Sequence, residues 1–219
     1  MASRIQADAH VVLGLEIGQR RALGDRQALY GNLEAGAATI REYQQTFVPG
    51  LLQIPEFVRS RVDTEVKLKP ANPNAEGVLA GRAGRQRMLR RPGGPTYEVI
   101  IDEVAVSRLA APPEVVKKQL YYLATAVNGE PKVTVQVLPV HARIESYAVP
   151  RCTFSMYTYP DPGDPAVVAV DTVTSDLILT DSADVHPYKQ LYQRLRDAAL
   201  PPDDSLDLLT KLAADLADE

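Results

Sequence analysis

The chain has 219 residues, 45% of them hydrophobic and 24% charged, with a formal net charge of −4. This composition is typical of a globular protein, and it excludes a disordered chain. The single cysteine, Cys152, excludes a disulfide framework, and no apolar run approaches the roughly 20 residues that a membrane span needs. We expect a soluble cytoplasmic protein without a membrane contact.

The N-terminal part of the chain is predicted to be helical. Apolar residues recur at near-helical intervals over residues 29–47, and the Pro-Gly pair after Val48 ends that helix. Pro55 suits the first turn of a helix that runs to residue 66. A linker with two prolines, residues 67–73, then separates it from a helix at about residues 74–91.

The middle of the chain is predicted to form strands, because it alternates or is rich in β-branched residues. These segments are residues 97–101, 132–138, 152–159, 166–170 and 177–179. Further amphipathic helices are predicted at about residues 113–128, 183–200 and 203–217. Tight turns join the last three strands, which indicates an antiparallel meander. We therefore predict an α+β domain: a central, mostly antiparallel sheet of about five strands, packed with N-terminal and C-terminal helices.

No strong catalytic motif stands in the sequence. There is no glycine-rich phosphate loop, nucleophile elbow or His-Glu-x-x-His pair. The three histidines are far apart, so we expect neither a metal site nor a cofactor. Cys152 lies on the apolar side of its predicted strand, which favours a structural thiol.

The helix at residues 74–91 carries two arginines where an apolar stripe is expected. Helical spacing aligns Val78, Arg82, Arg85 and Leu89. One interpretation is a buried ion pair with an acidic residue, for which we name Glu34, Asp102 and Glu103 as candidates. The other is a wall that binds an anion, because guanidinium groups suit carboxylates and phosphates.

A polar loop between two predicted strands is the second candidate site. Residues 140–151 combine groups that can donate and accept protons, as binding loops do. The alternative is an ordinary solvated hairpin loop. The candidates for ligand binding are Arg82, Arg85, His141, Arg143, Tyr147 and Arg151, and those for proton transfer in an enzyme are His141, Glu145, Tyr147 and Asp171.

Residues 29–217 also resemble a known family. The matching motifs are Leu33-Glu34-Ala35, Ile40-Arg41-Glu42-Tyr43, Val48-Pro49-Gly50-Leu51-Leu52-Gln53, Phe57-Val58-Arg59, Arg82-x-x-Arg85-Gln86, Asp102-Glu103, Gln119-Leu120, Val133-Thr134-Val135-Gln136-Val137-Leu138-Pro139, Phe154, Tyr159-Pro160-Asp161, Tyr188 and Leu195-Arg196-x-Ala198-Ala199-Leu200. They resemble the C-terminal, sensor-like domain of actinomycete Xre-type helix-turn-helix regulators. The resemblance implies a sensory or partner-binding module without known chemistry.

The sequence departs from that family in two places. Residues 1–28 are expected to be a helical extension, too short and too rich in glycine for a complete helix-turn-helix, ahead of one α+β domain at residues 29–219. After Pro139, where the family has a glycine-containing turn, this chain has a polar loop.

Three functions remain open from the sequence. The leading hypothesis is a stand-alone regulatory domain that binds a small molecule or a partner protein. The alternative is a cofactor-free enzyme of specialised metabolism, of the cyclase or isomerase type. The third is an interaction protein that pairs through its amphipathic helices, with a homodimer among the assemblies considered.

We predict that the chain does not bind duplex DNA specifically. Residues 1–110 hold 15 Lys and Arg against 12 Asp and Glu, and residues 111–219 hold 9 against 16, so a strongly basic face is not expected. A mobility-shift assay with the purified chain should show no sequence-selective complex. Sub-micromolar, sequence-selective and salt-dependent binding would contradict this prediction.

Overall fold

The computed structural model describes residues 23–68, 75–172 and 176–216. Residues 1–22, most of the predicted N-terminal extension, and most of the predicted linker at 67–73 lie outside these ranges. The predicted boundary at residue 28 falls inside the first described helix, Leu23–Ala35. None of the described helices is both long enough and apolar enough to cross a membrane.

The described residues form seven α-helices and six strands. The helices are α1 Leu23–Ala35, α2 Pro55–Leu68, α3 Ala75–Arg90, α4 Glu103–Ser107, α5 Pro113–Gly129, α6 Ser182–Ala198 and α7 Pro202–Asp215. The strands are β1 Thr39–Gln44, β2 Thr96–Asp102, β3 Val133–Leu138, β4 Phe154–Thr158, β5 Val167–Asp171 and β6 Asp176–Leu179. Short 3₁₀ turns lie at Gly50–Leu52 and Glu145–Tyr147.

All six strands belong to one mixed sheet in the order β3-β2-β1-β4-β5-β6. The pairs β1 with β2 and β2 with β3 are parallel, and the other three pairs are antiparallel. The predicted α+β fold with a mostly antiparallel sheet is therefore confirmed, as is the meander of the last three strands. The sheet has six strands rather than the predicted five.

The additional strand corrects the helix predicted over residues 29–47. The helix α1 ends at Ala35, and Thr39–Gln44 forms β1 near the centre of the sheet. Both faces of this strand are covered, so Ile40 and Tyr43 are buried on opposite faces. Apolar residues three positions apart mimic helical spacing, whereas in β1 they reflect a strand that is buried on both sides.

Helices cover the sheet on both faces. One face, with Tyr97 and Val99 at its centre, packs against α1, α2, α3, α5 and α7. The other face, with Tyr43 and Phe154, packs against α6. The domain is thus a three-layer structure in which the central strands have no face exposed to water.

The connection from β1 to α2 is held by a fully buried glutamine. Gln119, on α5, donates its amide to the Leu52 carbonyl at 2.7 Å and accepts the Ile54 N–H at 2.8 Å. One side chain therefore satisfies two backbone groups that the turn leaves without partners inside the fold. This contact fixes the turn of the Val-Pro-Gly-Leu-Leu-Gln motif against α5.

We predict that Gln119→Met destabilises the domain by about 2–4 kcal/mol, because the Leu52 carbonyl and the Ile54 N–H lose their partner. Urea unfolding followed by circular dichroism measures the change. The matched control is Gln193→Met at an exposed position of α6, which should change stability by less than about 0.5 kcal/mol. Equal effects of the two substitutions would show that the buried glutamine does not hold the turn.

Candidate functional site

A cleft of about 480 Å³ lies between the sheet and the helices α1, α2 and α3. It opens at the carboxyl end of β1, beside the start of β4 and the end of β5. The chain leaves β1 toward its parallel neighbour β2 on one side, while β4 lies on the other side.

The floor of the cleft consists of polar side chains on a sheet face that helices cover. They are Glu42 and Gln44 from β1, Ser155 and Tyr157 from β4, and Thr153 immediately before β4. Asp171, at the end of β5, also lines the cleft but is exposed. Glu42 and Ser155 are each 7% exposed. Polar groups are costly to bury without partners, so a run of them on a covered face indicates a site rather than core packing.

A buried ion pair closes one side of the cleft. Arg85 donates to both carboxylate oxygens of Glu34, at 2.8 and 2.5 Å, and their side chains are 13% and 2% exposed. Burial by itself lowers the pKa of Arg85, but the hydrogen bonds and the charge of Glu34 outweigh it and raise that pKa. The interpretation that one of the two arginines is buried against one of three named acids is confirmed, and the acid is Glu34. The other two named acids are engaged elsewhere, Asp102 as the N-cap of α4 and Glu103 with the Val140 N–H.

Glu42 lies beside this ion pair and accepts hydrogen bonds at both of its oxygens. The Tyr97 hydroxyl donates to Oε2 at 2.6 Å, and the Gln44 amide donates to Oε1. Burial raises the pKa of Glu42, with a further increase from the charge of Glu34, and the two hydrogen bonds oppose this rise only in part. Glu42 is therefore protonated more readily in the cleft than in water.

Arg82, on α3, connects this helix to the motif at residues 48–53. Its Nη1 donates to Gln53 Oε1 at 3.0 Å, and Gln53 Nε2 donates to the Val48 carbonyl at 2.7 Å. Gln86, also on α3, donates to the Gln53 carbonyl at 2.7 Å. The motif thus forms a wall of the cleft whose position depends on side chains from α3 and α5.

The mouth of the cleft carries an arginine and an aromatic ring. The Arg61 guanidinium stacks over the Phe47 ring, 4.7 Å from its centroid, and both residues line the cleft. Phe47 is 42% exposed. A cationic group on an exposed ring is suited to receive a flat organic ligand that carries negative charge.

The structure brings together only some of the predicted site residues. Arg82, Arg85 and Asp171 line the cleft. The others lie in the loop between β3 and β4, away from the cleft lining, and all of their side chains are exposed: His141, Arg143, Glu145, Tyr147 and Arg151.

Within this loop, Tyr147 is 78% exposed and has a φ of +53°, next to Ser146 at +58°. Glu145 Oε2 lies 3.5 Å from Nε of Arg194 on α6. Residues 140–151 are therefore a largely exposed segment with a contact to α6, and none of them lines the cleft.

Several residues of the cleft were not predicted from the sequence: Tyr30, Glu42, Gln44, Gln53, Arg61, Ser155 and Tyr157. A signal for some of them was present, because Thr153, Ser155 and Tyr157 alternate with apolar residues in β4. An alternating polar side normally faces water, and only the packing of α1 to α3 over it turns that side into the floor of a cleft.

The fold and cleft define a three-layer α+β domain with one polar, arginine-lined cleft as its candidate site. The described residues contain no group of three His, Cys, Asp or Glu side chains placed to hold a metal ion. Residues 27–211 match the family described as Domain of unknown function (DUF5753), and the chain belongs to that family. No curated protein matches the chain.

We predict that Arg85→Met destabilises the fold by about 3–5 kcal/mol, because it leaves the buried Glu34 carboxylate without its cation. Glu34→Gln in the same background should restore part of that loss, with a coupling of about 2 kcal/mol in a double-mutant cycle measured by urea unfolding. The control is the more exposed pair Arg41–Glu98, 3.1 Å apart, where Arg41→Met should cost less than about 1 kcal/mol. Additive effects of the two cleft substitutions would contradict the coupling.

Proposed function

We propose that this domain binds a small organic anion in the cleft and acts as the ligand-sensing part of a cytoplasmic regulatory protein. The observation that carries the proposal is the cleft itself, with arginines from two helices facing a polar floor in which Glu42 and Ser155 are buried. The sensory role further rests on the resemblance to the C-terminal domain of helix-turn-helix regulators, whose region, residues 29–217, nearly coincides with the family match.

The size and lining of the cleft support a small organic ligand. Its volume of about 480 Å³ falls in the range of about 300–1,000 Å³ that is usual for small-molecule sites. Valine side chains from α2 and α3 supply apolar surface beside the polar floor, namely Val58, Val62 and Val78. Such a mixture suits a molecule with an apolar body and one charged group.

The charges of the lining favour an anion when Glu42 is protonated. Three arginines line the cleft, Arg61, Arg82 and Arg85, against the carboxyl groups of Glu34, Glu42 and Asp171. When Glu42 is neutral, the side chains of the lining carry one more positive than negative charge. Guanidinium groups bind carboxylate and sulfonate oxygens through paired N–H donors, which gives the anion a defined orientation.

The positions of the residues considered for proton transfer support ligand binding in the cleft rather than catalysis by the exposed loop. Of the four residues considered for proton transfer, only Asp171 lines the cleft, and the other three lie in the exposed loop. We therefore propose a small-molecule ligand for the cleft and keep the exposed loop outside the binding site. A partner protein would read the ligand-bound state through another surface.

We predict that the cleft binds 1-anilinonaphthalene-8-sulfonate, an aromatic sulfonate whose fluorescence rises on transfer to an apolar site. Arg61→Gln should weaken this binding about tenfold, because it removes a cation at the mouth. N-phenyl-1-naphthylamine has the same rings without the sulfonate, and its affinity should not change. Fluorescence titration measures both constants.

The matched control is Arg59→Gln, which removes the same charge from an exposed position of the same helix outside the cleft lining. It should bind the sulfonate as the unmodified chain does. Equal weakening by the two substitutions would mean that the arginines act through overall charge, and the proposed anion site would be wrong.

A further inference from the structure

The cleft holds two buried carboxyl groups next to one firmly paired guanidinium. Glu34 takes both hydrogen bonds of Arg85 that define the ion pair, whereas Glu42 is hydrogen-bonded by the neutral side chains of Tyr97 and Gln44. Glu42 is 7% exposed, and it lies on the floor of the cleft. A ligand that enters the cleft therefore meets the Glu42 carboxyl group, which is neutral when protonated and negatively charged when ionised.

Titratable and charged groups surround Glu42 from every element that forms the cleft. They are Tyr30 and Glu34 from α1, Arg61 from α2, Arg82 and Arg85 from α3, Tyr97 from β2, Tyr157 from β4 and Asp171 from β5. Burial raises the pKa values of Tyr97 and Tyr157 well above the usual tyrosine range. These tyrosines stay neutral in ordinary buffers, so Glu42 is the buried floor residue whose charge can change.

We infer that Glu42 selects the charge of the ligand: its neutral form admits an organic anion, and its ionised form repels one. The inference rests on the proposed function, since it requires the anion to bind in this cleft. A bound anion would stabilise the neutral acid form of Glu42 further. Where Glu42 is ionised in the empty cleft, binding of the anion is therefore accompanied by uptake of one proton from solvent onto its carboxylate.

The direction of the pH dependence follows from this coupling. Burial raises the pKa of Glu42 above its usual value in the empty cleft, and a nearby anion raises it again in the complex. Affinity for an anion is therefore highest at low pH. It falls as the pH rises through the pKa of Glu42 in the empty cleft, and it levels off above the pKa in the complex.

The test measures the affinity of the full chain for 1-anilinonaphthalene-8-sulfonate between about pH 5 and about pH 9. The sulfonate stays ionised throughout, so the probe itself does not titrate. We expect binding to weaken about tenfold across this range. Glu42→Gln should remove the dependence and keep the affinity of the low-pH form, because glutamine is a neutral analogue of the acid.

Two controls separate Glu42 from general effects of pH. Glu98→Gln removes a carboxylate from β2 outside the cleft lining and should retain the full dependence. The uncharged N-phenyl-1-naphthylamine should bind equally well at every pH. The inference would be overturned if the affinity for the sulfonate did not change with pH, or if Glu42→Gln retained the same pH dependence. In either case, weaker binding by Arg61→Gln would still support the anion site.

A ligand-free measurement keeps the inference testable if the probe does not bind in the cleft. Because the folded state resists ionisation of Glu42, the unmodified chain should lose stability relative to Glu42→Gln as the pH rises above the usual range of a glutamic acid. Urea unfolding of both proteins over the same pH range measures this difference. A constant difference would show that Glu42 is already ionised in the empty cleft, and the inference would be wrong.

Discussion

The cost of removing charged and polar groups from water is the constraint on which this structure depends. The central strand β1 places Glu42 on a covered face, and α1 places Glu34 beside it at 1% exposure. A buried carboxylate is tolerated only with a cation or several hydrogen bonds. Arg85 supplies the cation for Glu34, so this ion pair joins α3 to α1 and forms one side of the cleft.

The same constraint explains the turn between β1 and α2. A tight connection inside a three-layer domain leaves backbone groups that neither strand nor helix satisfies. Two glutamines from distant helices provide the partners, Gln119 from α5 and Gln86 from α3, and Gln53 within the turn adds another. The motif at residues 48–53 therefore forms the turn between β1 and α2 and also lines the cleft.

The arrangement also relates stability to function. Helices that only packed on the sheet would have filled the space above β1 and β4 with apolar side chains. Here the floor stays polar, and the arginines of α2 and α3 face it across a cavity. Buried polar groups of this kind stabilise a fold less than apolar packing does, and the function that we propose for them is to bind a ligand.

Much of the architecture was predictable from local patterns, because it depends on periodicity and on turn residues. The strands β2 to β6, the amphipathic helices and the meander all follow from such patterns. The helical stripe of α3 also indicated two uses for its arginines, an ion pair with one of three named acids, Glu34 among them, or a wall that binds an anion, because an unpaired cation is costly to bury.

Tertiary structure alone decided the nature of β1 and the place of the site. Residues 39–44 have apolar positions that fit a helix as well as a strand, and only their pairing with β2 and β4 selects the strand. The polar side of β4 looks solvent-facing in the sequence, but helices that precede it in the chain cover it. A pattern records which side of an element is polar; whether that side meets water or the floor of a cleft depends on contacts between residues far apart in sequence.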